Sequence, residues 1–125
     1  MGNIKEIKET ITTYVDGVKE INFAKAESAW FKDGIKISYN PEDDIVEMLK
    51  MLDSRPSDKI KELDIHQEAN IDLIDVTNTA AIVILHWTQI LQGKTKHYVD
   101  YLSLLKIKDK WKIVSKISDI KNSDE

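Results

Sequence analysis

One histidine and two tyrosines carry the most specific chemistry that this sequence could support. Strand pairing centred on the turns of the C-terminal half places His86 opposite Tyr101 on one face of a sheet. A histidine with a pKa near neutral can act as a general base, and Tyr101 or Tyr14 can donate a hydrogen bond to a developing enolate oxygen. The alternative is a half-buried histidine satisfied by Tyr101. We favour the alternative, because the same face carries no carboxylate to orient the imidazole ring.

Other polar side chains are expected at one end of the same, mostly apolar face. An apolar wall gives a small molecule its affinity, and a few polar groups fix its orientation. Aromatic residues from the N-terminal segments could close the space. The expected ligand-binding residues are Tyr14, Trp30, Phe31, Gln67, His86, Thr88, Tyr101, Ser103 and Trp111.

Three helices are predicted in the first half of the chain, where apolar residues recur at helical spacing. The first begins near Asn3, and the second is capped by Asn22. The third has the strongest start signal, because Asn40 and Pro41 precede three acidic residues. Its apolar stripe ends before Pro56.

Strands are predicted in the second half, after a short strand over residues 35–39. Their expected ranges are 61–75, 80–91, 97–107 and 111–120. Short polar turns separate them, which favours antiparallel hairpins. Helices followed by antiparallel strands predict one α+β domain over residues 1–120, with a polar tail at 121–125.

The opposite face of the predicted sheet, expected to point outward, combines charges with an apolar centre. Asp100 should lie there, diagonal to Lys116 and opposite Trp87, as part of a surface or interface ion pair. A monomer rarely leaves so much contiguous apolar surface in water, so we expect a homodimer. The expected interface includes Val83, Leu85, Trp87, Leu102, Leu104 and Val114.

Composition and charge argue against several other functions. The 125 residues carry a net charge of −4, which attracts neither nucleic acid nor an anionic membrane. The chain has no cysteine, and the predicted pairing separates two of its three histidines, so we expect no metal and no cofactor. No signal-peptide run and no stretch of about 20 apolar residues is present, which indicates a cytoplasmic protein.

Two stretches resemble a known family. "TITTYVDGV" (10–18) is similar to the first-helix motif, and "VDYLSLLKIKDKWKIVSKI" (99–117) to the terminal hairpin, of the small bacterial domains described as "putative lumazine-binding". That family lies within the nuclear-transport-factor-2-like superfamily. The resemblance spans the whole chain and implies three helices on a curved antiparallel sheet, arranged as a cone with the ligand site at its mouth. In the family's Phe-His-Pro segment only Phe31 matches, because Lys32 and Asp33 replace the other two residues.

The superfamily leaves the function open, since it contains ketosteroid isomerases, dehydratases and polyketide cyclases beside domains that only bind or dimerise. The leading hypothesis is a small-molecule-binding domain for an apolar or flat heteroaromatic compound. An isomerase- or dehydratase-like enzyme would use His86 as its base, with Tyr101 or Tyr14 as donor. A structural dimerisation module would have its cone plugged by Trp30, Phe31 and Trp111.

Overall fold

The computed structural model describes residues 2–121, which form two α-helices and one six-stranded sheet. Of the tail predicted at 121–125, Lys121 ends the last strand and residues 122–125 lie outside the described residues. The elements are α1 (Gly2–Lys19), α2 (Phe23–Ser28), β1 (Trp30–Asn40), β2 (Ile45–Lys50), β3 (Ile65–Val76), β4 (Ala80–Leu91), β5 (Lys94–Ile107) and β6 (Lys110–Lys121). Two short 3-10 helices, Met51–Ser54 and Asp58–Glu62, connect β2 to β3.

The strands follow the order β2-β1-β6-β5-β4-β3 across the sheet. Strands β3 to β6 form a meander in which each neighbouring pair is antiparallel. The chain crosses from the β1–β2 hairpin to the far edge before the meander begins, and β6 then meets β1 in parallel orientation. The predicted α+β class is confirmed, although one pair in the sheet is parallel.

The first two predicted helices are present; α1 buries its apolar face in the core, and α2 packs the half-buried Ala26 against it. In α1, Ile7 and Ile11 are at most 1% exposed. The side chain of Asn22 caps α2 by accepting a backbone hydrogen bond at 3.1 Å. The helices meet at Gly17, where an added Cβ would lie 2.4 Å from the backbone nitrogen of Ala26. This close approach therefore requires glycine.

The third predicted helix is wrong, because the segment after Asn40 forms a β-hairpin. Strand β2 pairs antiparallel with β1 along its whole length. The Asn40 side chain accepts a hydrogen bond from the Glu42 amide at 3.0 Å, as the first residue of a turn. Asp44 closes that turn with a left-handed φ of 52°, which a helix cannot contain. Asparagine and aspartate favour both helix starts and turns, so the sequence signal was ambiguous.

The face predicted for β4 and β5 is wrong, because a bulge changes which side chains face the helices. Between Ile71 and Leu73 the pairing of β3 with β4 shifts by one residue. Such an extra residue moves every later side chain to the other side of the sheet. Ala69 lies opposite Trp87, instead of opposite His86 as predicted, so it shares a face of the sheet with Trp87.

A second irregularity changes which side chains of β6 point toward the helices. The pairing of β5 with β6 shifts by one residue between Ser103 and Leu104, and Ile113 lies opposite Leu104. Ile113 is fully buried, and Lys116, three residues further along, contacts Tyr14 of α1. Both side chains thus lie on the side of the sheet that the helices cover, which we call the inner face.

All but one of the residues predicted to form a dimer interface belong instead to the core beneath the helices. Burial of the larger apolar side chains explains the choice of side, since it removes the most apolar area from water. The buried side chains are out of reach of a second subunit, so the predicted interface is wrong. Val114 is half-buried beside the β6 irregularity, and the residues at most 6% exposed are Val83, Leu85, Trp87, Leu102 and Leu104.

Candidate functional site

A cavity of about 250 Å³ opens between the helices and the inner face of the sheet. Helices α1 and α2 form one wall, and strands β1, β3, β4 and β6 contribute side chains to the other. The connection between β2 and β3 forms its rim. We call this space the inner cavity. Ligand pockets commonly measure about 300–1,000 Å³, so the inner cavity lies just below that range and suits a small ligand.

The inner cavity has a rigid aromatic wall. Trp30 of β1 is 4% exposed, and its ring centre lies 6.0 Å from that of Tyr14 at an interplanar angle of 74°. Tyr14 makes a second edge-to-face contact with Trp87, at 6.1 Å and 86°. Such contacts hold aromatic rings in defined orientations. Gly34 permits the packing, because a Cβ there would lie 2.6 Å from the Trp30 ring.

Two lysines bring positive charge into the inner cavity. Lys36 of β1 and Lys116 of β6 are direct partners in the parallel pair, and both line the cavity. Lys116 Nζ donates to the Tyr14 hydroxyl at 3.3 Å, and Lys36 Nζ lies 5.7 Å from the centre of the Trp30 ring. Within residues 2–121 neither lysine forms an ion pair with a carboxylate.

The surroundings of these groups shift their pKa values. Burial, together with the charge of Lys116, lowers the pKa of Lys36 to about 8. Burial also opposes the charge on Lys116, but the Tyr14 hydroxyl and the Asp100 carboxylate outweigh it and raise the pKa of Lys116. Burial raises the pKa of Tyr14, so its hydroxyl keeps its proton at neutral pH. Lys116 therefore stays positively charged at neutral pH, while Lys36 loses its proton at about pH 8.

A buried acid, Asp100, lies behind the lysines on the inner face and is 3% exposed. Its carboxylate accepts a hydrogen bond from Trp87 Nε1 at 2.8 Å and another from the Ser118 hydroxyl. Our sequence-based placement of Asp100 on an outer surface was wrong, because β5 presents its other side to solvent. The carboxylate fixes the Trp87 ring and partly offsets the charge of Lys116.

The mouth of the inner cavity is closed on one side by an ion pair. Arg55 donates two hydrogen bonds to the Glu27 carboxylate, at 2.9 Å and 2.6 Å, and its guanidinium carbon lies 5.4 Å from the Phe23 ring centre. On the other side, the Gln89 amide donates to the Gln67 oxygen at 3.4 Å. The mouth therefore offers polar groups on two sides of an aromatic interior.

Three of the residues predicted to bind a ligand, Tyr14, Trp30 and Gln67, line the inner cavity. Trp111 is buried in another part of the core, 3% exposed. Phe31 is half-buried on β1 and is not among the cavity-lining residues. The sequence thus identified the aromatic wall and one polar group of the site.

The other predicted residues, His86, Thr88, Tyr101 and Ser103, lie on the side of the sheet that faces away from the helices, which we call the outer face. They alternate along β4 and β5 with the buried core residues. The His86 side chain is 40% exposed, with Nε2 3.5 Å from the Asp72 carboxylate. The placement of His86 and Tyr101 inside the cone was therefore wrong, and the β3 bulge is the reason.

Sequence reasoning missed Lys36, Lys116 and Gln89 as residues of the inner cavity. Two signals could have located them. The alternate residues of β4 and β5 that include Trp87 form the larger apolar set, which marks the buried side. An aspartate within such a set, as Asp100 is, then indicates a buried charge with a cationic neighbour nearby.

A wider groove of about 670 Å³ lies between α1 and β3. Its lining is rich in short apolar and charged side chains, including Val15, Lys8 and Asp72, and none of its described lining residues is aromatic. The inner cavity is therefore the better candidate for holding a flat ligand.

Two other features are absent from the part of the chain that the structure describes. Within residues 2–121, no three histidine or acidic side chains converge to hold a metal ion. No helix in that range is long and apolar enough to cross a membrane.

The arrangement of helices over a curved sheet, with a cavity between them, is a nuclear-transport-factor-2-like fold, and similar solved structures confirm this fold. An NTF2-like protein of unknown function from Shewanella baltica OS155 has a TM-score of 0.80 and 21% identity, covering 98% of this chain and 96% of its own. A domain of unknown function with a cystatin-like fold from Nostoc punctiforme PCC 73102 has a TM-score of 0.79 and 13% identity, covering 98% and 80%. A ketosteroid isomerase-like protein from Erwinia carotovora atroseptica SCRI1043 has a TM-score of 0.72 and 12% identity, covering 94% and 95%.

Within this fold class the chain belongs to the family described as "Putative lumazine-binding", whose model matches residues 2–118. The resemblance seen in the first helix and the terminal hairpin is thereby confirmed. None of the curated proteins compared with the chain matches it.

Proposed function

We propose that this protein binds a small, flat, largely apolar molecule in the inner cavity. The observation that carries the proposal is the open cavity of about 250 Å³ against the packed rings of Trp30 and Tyr14. A pre-formed aromatic wall binds a flat ring with little ordering cost. The amides of Gln67 and Gln89 would orient a heterocyclic edge at the mouth. The family's description supports a heteroaromatic ring.

An open cavity favours binding over a purely structural role. Trp30 forms the wall of the space, and Trp111 packs elsewhere in the core. Phe31 is not among the residues that line the cavity. The three aromatic residues considered as plugs therefore leave room for a ligand.

A catalytic role with His86 as the base has little support, because that side chain lies on the outer face. The buried acid Asp100 is not among the cavity-lining residues, and it already accepts hydrogen bonds from Trp87 and Ser118. The likeness to a ketosteroid isomerase-like protein, at 12% identity, is one of fold. Binding without catalysis is the simpler proposal.

A screen of flat heteroaromatic compounds by saturation-transfer NMR tests this proposal. Gln67→Phe fills the cavity from β3, whereas His66→Phe places the same ring on the adjacent, exposed residue. Compounds should bind the wild type and His66→Phe, and should lose their signal with Gln67→Phe. A screen without binders, or binders insensitive to Gln67→Phe, would overturn the proposal.

We also propose that the protein forms a homodimer, with the outer face as the interface. Apolar side chains are exposed there: Ile82 is 51% exposed, Tyr101 44%, Leu105 42% and Ile117 47%. Tyr101 and Ile117 are direct neighbours across β5 and β6. A monomer rarely exposes such a patch, and a second copy would cover it.

Light scattering after size exclusion tests the dimer. Tyr101→Lys introduces a charge at the centre of the proposed interface, and Thr12→Lys introduces the same charge on the exposed side of α1. The wild type and Thr12→Lys should have twice the chain mass of 14.4 kDa, and Tyr101→Lys should be monomeric. A monomeric wild type would refute the proposal.

A further inference from the structure

The inner cavity contains a cation, Lys36, whose charge its neighbours compensate only in part. Lys116 has the Asp100 carboxylate nearby, and Glu27 is taken up by the two hydrogen bonds from Arg55. No carboxylate in the described chain pairs with Lys36. The charged and titratable groups that face Lys36 from neighbouring elements are Tyr14, Glu27, Arg55, Asp100 and Lys116.

A half-buried ammonium group beside a second one is unfavourable, because both burial and repulsion oppose its charge. The pKa of Lys36, lowered to about 8 by burial and by Lys116, reflects this cost. An anion placed between the two ammonium groups would relieve it. The protein therefore carries an electrostatic preference for an anionic occupant, built into two adjacent strands.

The geometry also places this charge beside the aromatic wall. Lys36 Nζ lies 5.7 Å from the centre of the Trp30 ring, and Lys116 Nζ lies 6.0 Å from that of Tyr14. The two lysines are partners across neighbouring strands and both line the inner cavity, so one carboxylate could accept hydrogen bonds from both ammonium groups. A ring attached to that carboxylate would then lie along Trp30.

We propose that the inner cavity takes a flat organic monoanion, whose carboxylate is held between Lys36 and Lys116 and whose ring packs against Trp30. The inference rests on the proposed binding function and names its ligand class. A single negative charge fits better than a dianion such as phosphate, because Asp100 already offsets part of the positive charge.

Calorimetric titration with two matched probes tests the charge requirement. Indole-3-carboxylate and indole-3-carboxamide have nearly the same shape and differ in charge. At pH 7 the carboxylate should bind at least about tenfold more tightly, as expected for a charge-assisted contact. Lys36→Met should reduce this preference at least about threefold, because only Lys116, whose charge Asp100 partly offsets, then faces the carboxylate. Lys32→Met, which removes an exposed lysine from the same strand, should leave the preference intact.

Proton uptake gives a readout that a merely structural Lys36 would not produce. At pH 8 about half of the Lys36 side chains are neutral in the free protein, and a bound carboxylate favours the charged form. Titrations in two buffers of different ionisation enthalpy should show uptake of up to about half a proton with the carboxylate. The carboxamide, and either probe with Lys36→Met, should show none.

The possible results distinguish failure of the anion assignment from failure of the proposed binding function. Equal affinities for the two indole probes in the wild type would overturn the anion assignment and leave the binding function standing. An undiminished carboxylate preference in Lys36→Met, together with no proton uptake by the wild type, would also overturn it. If no flat compound binds at all, the proposed function fails, and the anion assignment fails with it.

Discussion

Replacing Lys36 with methionine should stabilise the ligand-free protein at pH 7. The shift of its pKa from the ordinary 10.5 to about 8 measures the cost of burying its charge. At about 1.4 kcal/mol per pKa unit, that cost has an upper bound of about 3 kcal/mol. Lys36 is half-buried, so solvent screening and the lost contact with Trp30 reduce the expected gain to about 1–2 kcal/mol. Methionine keeps the length of the side chain and its apolar contacts.

The pH dependence follows from the direction of the shift. Between about pH 8 and 10.5 the unfolded chain keeps a proton on Lys36 that the folded protein has released. The free energy of unfolding of the wild type therefore rises with pH in this window. The variant has no Lys36, so its free energy of unfolding does not show this rise. The advantage of Lys36→Met should be largest below pH 8 and should vanish above pH 10.5.

Urea denaturation followed by tryptophan fluorescence, at equal protein concentration and at several pH values, measures this difference. Lys32→Met is the control, because that residue is exposed on the same strand. It should change the free energy of unfolding by less than about 0.5 kcal/mol. A Lys36→Met variant that is less stable than the wild type at pH 7, or whose advantage is unchanged at pH 10.5, would refute the reasoning.

Three other predictions concern the same region. Asp100→Asn should lower the free energy of unfolding by about 2–4 kcal/mol, because it removes the charge that supports Lys116; a loss under about 0.5 kcal/mol in urea denaturation would contradict this. Gly17→Ala should cost about 2 kcal/mol or more, since its Cβ would meet Ala26, and an unchanged melting temperature would count against the tight helix contact. The affinity for indole-3-carboxylate should fall about tenfold between pH 7 and 10 as Lys36 loses its proton, whereas that for indole-3-carboxamide should not; parallel titration curves would contradict the anion assignment.

Local signals in the sequence predicted much of the fold. The helical spacing in α1 and the cap at Asn22 have direct local causes, and both are present in the structure. Short polar turns predicted the meander of β3 to β6. The signal at Asn40 was assigned to a helix, but the same residue types also begin turns. The segment forms a strand because β2 pairs with β1, a long-range contact that the local sequence does not reveal.

The placement of the β3 and β6 side chains relative to those of β4 and β5 was harder to predict, because it depends on irregularities that leave no clear mark in the sequence. One extra residue between Ile71 and Leu73 reversed β4 and β5 relative to the first part of β3. His86 consequently moved from the expected site to the outer face, and Asp100 moved into the core. Tyr14 and Trp30 were identified correctly because their placement depends on the helices and β1 rather than on that register.

The proposed binding of a flat ligand in the inner cavity is tested most directly by titrating isotope-labelled protein with indole-3-carboxylate, followed by two-dimensional NMR. The three tryptophan side chains provide separate reporters, assigned by single Trp→Phe variants. The indole N–H signal of Trp30 should shift saturably, and that of Trp111, which is remote from the cavity, should stay in place. Shifts centred on His86 and Tyr101 of the outer face, with Trp30 unchanged, would contradict the account.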